Sequence, residues 1–218
     1  MKKTRDVFYS GLPKLSKKWE HYFDIYDKYL PAFVDKNPTI LEIGVAHGGC
    51  IDWLIKYFDN NVKIFGIDYD PKFTYHQYEG SDVKLSLGDQ ADNKFWDLYL
   101  ADNPQYDIII DDGGHDMVQQ ITTLVRTFPH LKDGGVYVVE DTHTSYWQPY
   151  GGGLNVPTTF IEYAKRLADL IHAPYIKTAS PPPEIVEVFK NLKCITFYNS
   201  VVVFEKGVSA PFEEAVSC

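Results

Sequence analysis

The chain has 218 residues and a formal net charge of −9, with 44% hydrophobic and 23% charged residues. This length suits one globular domain, and the composition excludes a disordered or fibrous protein. The acidic balance also argues against a protein dedicated to nucleic acid or to anionic membrane surfaces, because both need clustered Lys and Arg.

The cysteines and the N-terminus predict a cytoplasmic protein. Cys50, Cys194 and Cys218 are far apart and form no zinc-binding pattern, so we expect free thiols in a reducing compartment. The basic N-terminus lacks the apolar stretch of a signal peptide, and no uninterrupted apolar run is long enough for a membrane-spanning helix.

Helices and strands are predicted to alternate along the chain. The predicted helices are Leu15–Leu30, a segment with its apolar face at Ile51, Leu54, Ile55 and Phe58, residues 92–101, Asp116–Phe128 and Pro157–Ile171. The predicted strands are Thr39–Gly44, Lys63–Asp68, Val83–Leu87, Asp107–Asp111, Val136–Glu140, Cys194–Tyr198 and Val201–Phe204. A turn is expected at Gly134-Gly135. Short, mostly apolar strands are typical of a parallel sheet covered on both faces.

The short join Asn199-Ser200 predicts an antiparallel hairpin for the last two strands. The fold class is therefore α/β, a Rossmann-like doubly wound seven-stranded sheet that is mostly parallel with a C-terminal antiparallel hairpin strand. This pattern is typical of S-adenosylmethionine-dependent methyltransferases. We expect an N-terminal helical segment over residues 1–38, a catalytic domain over 39–206 and a loose tail over 207–218.

A glycine-bearing turn follows the first predicted strand. Gly44 and Gly48 have G-x-x-x-G spacing, and Glu42 stands two residues ahead of the first glycine. A dinucleotide site would favour G-x-G-x-x-G, which seats a pyrophosphate at a helix N-terminus. A cofactor with an ammonium group and ribose hydroxyls but no phosphate, such as S-adenosylmethionine, fits the nearby carboxylate better. Taken alone, the motif also fits a plain tight turn.

Two further acids end the next two predicted strands. Asp68 stands where a doubly wound fold places a carboxylate on ribose hydroxyls. Asp89 follows the third strand beside Gln90, where the adenine is expected. Each acid alone is common as a turn former or helix cap. Together with Glu42 they mark the edge of a parallel sheet at which such folds bind ligands, which favours a cofactor site.

A second acidic cluster ends strands four and five. Asp111 and Asp112 follow one strand, and Glu140 and Asp141 follow the other. Four converging carboxylates would repel one another unless a cation lies among them. Oxygen ligands without cysteine favour Mg²⁺, with Mn²⁺ or Ca²⁺ as alternatives. The other interpretation is that the first two acids cap the following helix.

Three histidines lie near these motifs. His115 stands beside the acidic cluster, and its titration range suits a general base near neutral pH. His143 could orient a ligand or substrate, as could His47 in the cofactor turn, although a lone histidine is commonly structural.

The chain contains the strings LEIGVAHGG, GIDYDP, GDQAD, YDIIIDDGGHD, VYVVEDTHTSYW and ITFYNSVVVFEK. They resemble sequences of the metal-dependent sugar O-methyltransferases, a class I family that includes macrocin, mycinamicin and rhamnosyl O-methyltransferases. The resemblance covers about residues 15–206 and implies S-adenosylmethionine and Mg²⁺ (or Mn²⁺) as cofactors. It implies His115 as general base and metal ligation by Asp112, Glu140 and Asp141. It implies cofactor contacts at Glu42, Gly44, Gly48, Asp68, Asp89, Gln90 and Asp111.

The predicted partner is a sugar or glycan with vicinal hydroxyls, such as a rhamnose residue. Shortly after Glu140-Asp141 come His143, Tyr146 and Trp147, which are predicted to contact the sugar. The alternative is that they belong to a plain surface loop. A catechol or other phenol is the other acceptor class, but catechol-type enzymes carry Asp-Asn where this chain has Glu140-Asp141. A non-catalytic cofactor-binding protein remains an alternative, and a homo-oligomer is left open. An iron hydroxylase is disfavoured, because it needs two histidines and one carboxylate.

Overall fold

The computed structural model describes residues 2–178 and 180–208, and a seven-stranded sheet forms its centre. The strands are β1 (Thr39–Ile43), β2 (Lys63–Asp68), β3 (Asp82–Leu87), β4 (Tyr106–Asp111), β5 (Leu131–Val139), β6 (Leu192–Tyr198) and β7 (Val201–Lys206). Their order is β3-β2-β1-β4-β5-β7-β6. The first five strands are parallel, and β7 is antiparallel to both of its neighbours. The predicted α/β fold class is confirmed.

Helices cover both faces of this sheet. They are α1 (Thr4–Tyr9), α2 (Tyr22–Tyr29), α3 (Gly49–Tyr57), α4 (Asn93–Ala101), α5 (Met117–Thr127), α6 (Phe160–Ile171) and α7 (Pro183–Val188). In the five central strands, β2, β1, β4, β5 and β7, side chains alternate between two buried cores, as the pleat requires. In β1, Ile40 packs with Trp53 of α3 on one face, and Leu41 packs with Trp96 of α4 on the other. Apolar burial on both faces explains why these strands are nearly continuous apolar runs.

Two predictions about local structure are wrong. The expected helix Leu15–Leu30 is helical only from Tyr22, and residues 11–19 cross the carboxyl edge of the sheet in irregular conformation. Contacts between this segment and distant strands, described below, replace the helical hydrogen bonds. The expected turn at Gly134-Gly135 lies inside β5, where the pairing register with β4 shifts and Gly134 adopts a φ of 85°. A bulge is one of the places where a strand accommodates glycine at positive φ.

Other boundaries differ by a few residues, and α1 and α7 had no predicted counterpart. Helix α6 begins at Phe160 rather than Pro157, because the Thr159 side chain accepts the Glu162 amide and caps it. The predicted tail falls mainly on residues 209–218, outside the described residues. The division into an N-terminal segment, a catalytic domain and a tail stays a prediction. Among the helices within residues 2–178 and 180–208, none has the length and apolar character needed to cross a membrane.

Candidate active site

The carboxyl ends of β1, β2 and β4, with the turn after β3, surround a pocket with a cavity volume of about 170 Å³. Four of the predicted cofactor residues line it, namely Gly44, Asp68, Asp89 and Gln90. The structure therefore brings together groups from three separate strand ends, as expected for a doubly wound sheet.

Asp68 and Gly44 shape the turn at the pocket wall. The Asp68 carboxylate accepts hydrogen bonds from the backbone amides of Ala46 and Asp70, both at 2.9 Å. Gly44 has a φ of 91°, and a Cβ at this position would lie 2.1 Å from the carbonyl oxygen of Asp112. Only glycine allows this close approach, so the cofactor turn and the end of β4 are in direct backbone contact.

Two of the predicted cofactor residues are fully buried rather than exposed to the pocket. Glu42 and Asp111 have no solvent exposure, and they lie on opposite faces of the sheet. Burial raises the pKa of each carboxyl group to about 7. Asp111 accepts a hydrogen bond from the Gln90 amide at 3.1 Å, so it supports a residue of the pocket wall from below.

Gly48 has a different role from Gly44. It precedes α3 with a φ of 81°, and its carbonyl oxygen accepts a hydrogen bond from Tyr78 at 3.1 Å. His47 lines a separate small cavity between the turn and residues 15–17. These two residues shape the outer side of the turn.

An acidic and histidine cluster adjoins the pocket. Asp112, His115 and Asp141 each offer a ligand atom, and these atoms lie within 4.8 Å of one another. The His115 Nε2 atom is 3.5 Å from Asp141 Oδ2 and 3.9 Å from Asp112 Oδ1. Two carboxylates beside a partly exposed imidazole fit a divalent cation of the Mg²⁺ or Mn²⁺ type. Asp112 also lines the cofactor pocket, so the two sites share a residue.

Glu140 lies beside this cluster but faces a different set of partners. Its Oε1 atom is 2.7 Å from Lys18 Nζ and accepts a hydrogen bond from Tyr26. Burial and the nearby Asp112 carboxylate raise the pKa of Glu140 to about 8. The same Lys18 ammonium lies 2.8 Å from Asp112 Oδ2. Lys18 therefore bridges two of the three predicted metal ligands.

The Lys18 side chain is completely buried. Burial alone would lower its pKa, but the Asp112 and Glu140 carboxylates outweigh this effect and hold the pKa well above the ordinary lysine value. A buried ammonium is stable only when it is paired and hydrogen-bonded in this way.

The backbone of the site is strained at two positions. His115 has a φ of 58° and Asp141 a φ of 53°, values that cost non-glycine residues on the order of 1–3 kcal/mol. The Thr144 hydroxyl donates to the His115 carbonyl at 2.8 Å, and the Tyr22 hydroxyl donates to Asp141 Oδ1 at 2.5 Å. These bonds hold both side chains toward one another. Strain of this kind clusters at functional sites.

The alternative interpretation of the first acidic pair as helix caps is wrong. Helix α5 is capped by Asp116, which accepts the Val118 amide at 2.9 Å and forms a capping box with Gln119. Asp111 and Asp112 are therefore free of this local role.

An aromatic surface borders the cluster at the turn after Asp141. The His143 ring contacts both Trp19 and Trp147, with centroid separations of 5.3 Å and 4.5 Å. Its Nδ1 atom is 2.5 Å from the Ser200 hydroxyl. Tyr146 and Trp147 are about half exposed. The structure places all three predicted acceptor residues on the turn after Asp141.

The N-terminal segment contributes three side chains to the site that were not predicted from the sequence. Lys18, Tyr22 and Tyr26 all donate to carboxylates of the predicted metal site. The one available signal was the presence of Tyr22 and Tyr26 in the predicted helix Leu15–Leu30, since a buried tyrosine hydroxyl needs a partner. Nothing in the local pattern distinguished Lys18 from Lys17.

Comparison with known proteins places the chain among related enzymes, although no protein-family model matches it. It is 36% identical over 171 residues to the L-olivosyl-oleandolide 3-O-methyltransferase of Streptomyces antibioticus. This match covers 72% of this chain and 43% of that protein. It is 32% identical over 206 residues to the 8-demethyl-8-alpha-L-rhamnosyl tetracenomycin-C 2'-O-methyltransferase of Streptomyces olivaceus, covering 89% and 53%. The chain spans about half the length of these relatives.

A solved structure agrees with these matches. The MycE methyltransferase of the mycinamycin biosynthetic pathway, in complex with Mg and SAH, superimposes with a TM-score of 0.77 and 27% sequence identity. The match covers 88% of this chain and 50% of that one. The order of strands and the closing antiparallel strand are thus those of a Rossmann-like methyltransferase fold.

Proposed function

Because the chain belongs to the family of these sugar O-methyltransferases, over about half of their length, we propose that it methylates a sugar hydroxyl. The proposed enzyme depends on S-adenosylmethionine and a divalent metal. Its acceptor is a rhamnose-like residue of a glycan or of a glycosylated natural product. One observation carries the proposal: Asp112 belongs both to the cofactor pocket and to the cluster with His115 and Asp141. Methyl donor and acceptor hydroxyl would meet at this residue.

Different residues of the site would bind the cofactor and the metal ion. Gly44, Asp68, Asp89 and Gln90 would hold S-adenosylmethionine, which supplies the methyl group. Asp112, Glu140 and Asp141 would hold the divalent ion, which makes a bound hydroxyl more acidic. Glu42 and Asp111 would act from beneath the pocket, through the strand ends that they support.

His115 would take the proton of the acceptor hydroxyl. Its Nε2 atom lies near both Asp112 and Asp141, and these carboxylates would stabilise the imidazolium that results. The imidazole of His115 lies 3.5 Å from Asp141, just after the end of β5, where the acceptor is expected. His143, Tyr146 and Trp147 would then contact the sugar.

The proposal includes a cytoplasmic enzyme whose partner is the sugar acceptor rather than nucleic acid or membrane. The net charge of −9 supports this, since seven of the predicted site residues are acidic and no basic surface is needed.

The test is methyl transfer from isotope-labelled S-adenosylmethionine to a panel of rhamnosyl and catechol acceptors, read by mass spectrometry. We expect labelled methyl ethers on rhamnosyl acceptors, lost after chelation and restored by Mg²⁺. Transfer only to catechols would favour the phenol alternative. Activity that survives exhaustive chelation would exclude the metal role, and cofactor binding without turnover on any acceptor would favour a non-catalytic protein.

A further inference from the structure

Trp19 is an exposed indole at the edge of the candidate active site. It lies in the irregular segment 11–19, and 52% of its surface is exposed. Its ring stacks on Tyr22 with an interplanar angle of 13° and a centroid separation of 6.3 Å. Its other close neighbours are the rings of His143 and His21. A tryptophan exposed to this extent gives up much of the stabilisation that its burial would bring, which commonly marks a binding surface.

Buried contacts on both sides hold Trp19 in place. The preceding residue, Lys18, is anchored between Asp112 and Glu140. Three residues later, the Tyr22 hydroxyl donates to Asp141. The indole is thus fixed at the acidic cluster by its own chain neighbours.

Trp147 contacts the same histidine. Its ring centroid is 4.5 Å from that of His143, and 49% of its surface is exposed. The two indoles and His143 therefore form a continuous aromatic wall, defined here as Trp19, His143 and Trp147. The wall begins beside Asp141, since His143 Nδ1 is 4.0 Å from its Oδ1 atom.

We propose that this aromatic wall takes the sugar ring of the acceptor and that Trp19 is a specificity-determining residue. A pyranose ring has an apolar C–H face and a polar hydroxyl edge. The wall offers an apolar surface for the face, and the adjoining carboxylates and His115 offer partners for the edge. The inference rests on the proposed function and extends it, because it assigns the orientation of the ring to the N-terminal segment.

The probe for the test is methyl α-L-rhamnopyranoside, studied by saturation-transfer NMR with protein that carries Mg²⁺ and S-adenosylhomocysteine. Saturation of the aromatic protons should pass to the C–H protons of the sugar in the wild type. We expect Trp19→Ala to lose most of this transfer and Trp19→Phe to keep most of it. Phe197→Ala is the matched control, because Phe197 is 44% exposed on the edge strand β6 and is not part of the wall.

Steady-state kinetics give a second readout, which distinguishes a role of Trp19 in acceptor binding from a merely structural role. With a rhamnosyl acceptor, Trp19→Ala should raise KM about ten-fold and leave kcat within about two-fold, since a lost ground-state contact acts on binding. Affinity for S-adenosylmethionine, measured by calorimetry, should not change. A general loss of structure would instead lower cofactor affinity and kcat together, and that result would overturn the inference.

The failure of this inference can be told apart from failure of the proposed function. If Trp19→Ala binds and methylates the sugar as well as the wild type, the inference is wrong and the proposed function stands. An absence of saturation transfer in the wild type, despite turnover of rhamnosyl acceptors, also overturns it. If the wild type methylates no sugar, the proposed function fails first.

Discussion

The Lys18 ammonium lies 2.7 Å from Oε1 of Glu140, although 122 residues separate them in the sequence. Both side chains are buried, and the same ammonium contacts Asp112. The lysine thus places a positive charge among carboxylates that would otherwise repel one another. This contact couples the conformation of the N-terminal segment to the electrostatics of the proposed metal site.

Lys18→Met should strengthen divalent metal binding. The substitution removes a positive charge beside two of the proposed ligands, so the affinity for Mn²⁺ should rise about ten-fold or more, as measured by calorimetry. The same variant should have a lower melting temperature in the presence of a chelator, because the carboxylates lose their partner. Lys17→Met, at the exposed neighbouring lysine, is the control and should change neither value. Unchanged Mn²⁺ affinity in Lys18→Met would contradict the role assigned to this contact.

His115→Gln tests the general base. Removing a positioned base typically slows the chemical step by about 10²–10⁴-fold, so kcat should fall in this range while the affinities for cofactor and metal stay unchanged. His143→Gln serves as the comparison and should affect acceptor binding more than kcat. A large loss of Mn²⁺ affinity in His115→Gln would show instead that His115 is a metal ligand, as its distances to Asp112 and Asp141 also permit.

Gly44→Ala should disrupt the cofactor pocket. The new Cβ would lie 2.1 Å from the Asp112 carbonyl oxygen, so β1 and β4 would have to separate at their carboxyl ends. We expect at least about a ten-fold loss of S-adenosylmethionine affinity by calorimetry, together with lower stability. Gly80→Ala is the matched control, because Gly80 also has a positive φ but nothing lies within 4 Å of its added Cβ. Equal cofactor affinities in the two variants would show that the close approach is not needed.

Glu42 should make stability fall as the pH rises. Its pKa is raised from the ordinary 4.5 to about 7 by burial, so between these values the folded protein keeps a proton that the unfolded chain has lost. The contribution of Glu42 to the free energy of unfolding is fully present below about pH 4.5 and is lost as the pH rises through about 7. The total loss is on the order of 3 kcal/mol.

The variant Glu42→Gln should flatten this pH dependence. Urea unfolding of wild type and variant at about pH 5 and about pH 8 would measure the difference, and the variant should lose less stability over this interval. Glu79→Gln, at an exposed glutamate, provides the control. A pH dependence that is the same in wild type and Glu42→Gln would exclude Glu42 as its source.

The sequence by itself was enough for the fold class and for the placement of most polar groups at one edge of the sheet. Apolar strands buried on both faces leave a strong local signal, and parallel strands bring their carboxyl ends together whatever the loops do. For this reason Gly44, Asp68, Asp89 and Gln90 were expected at the pocket, and Asp112, His115 and Asp141 were expected near one another. The roles assigned to these residues stay predictions until they are measured.

Only the tertiary structure decided what surrounds these groups. Residues 15–19 were expected to be helical but are irregular, because they contact strand ends about a hundred residues away, and such contacts leave no periodic trace in the sequence. The same distant contacts buried Lys18 between Asp112 and Glu140 and left Trp19 exposed beside His143. Which of two neighbouring side chains is buried, and against what, depends on packing between elements rather than on the local pattern of residues.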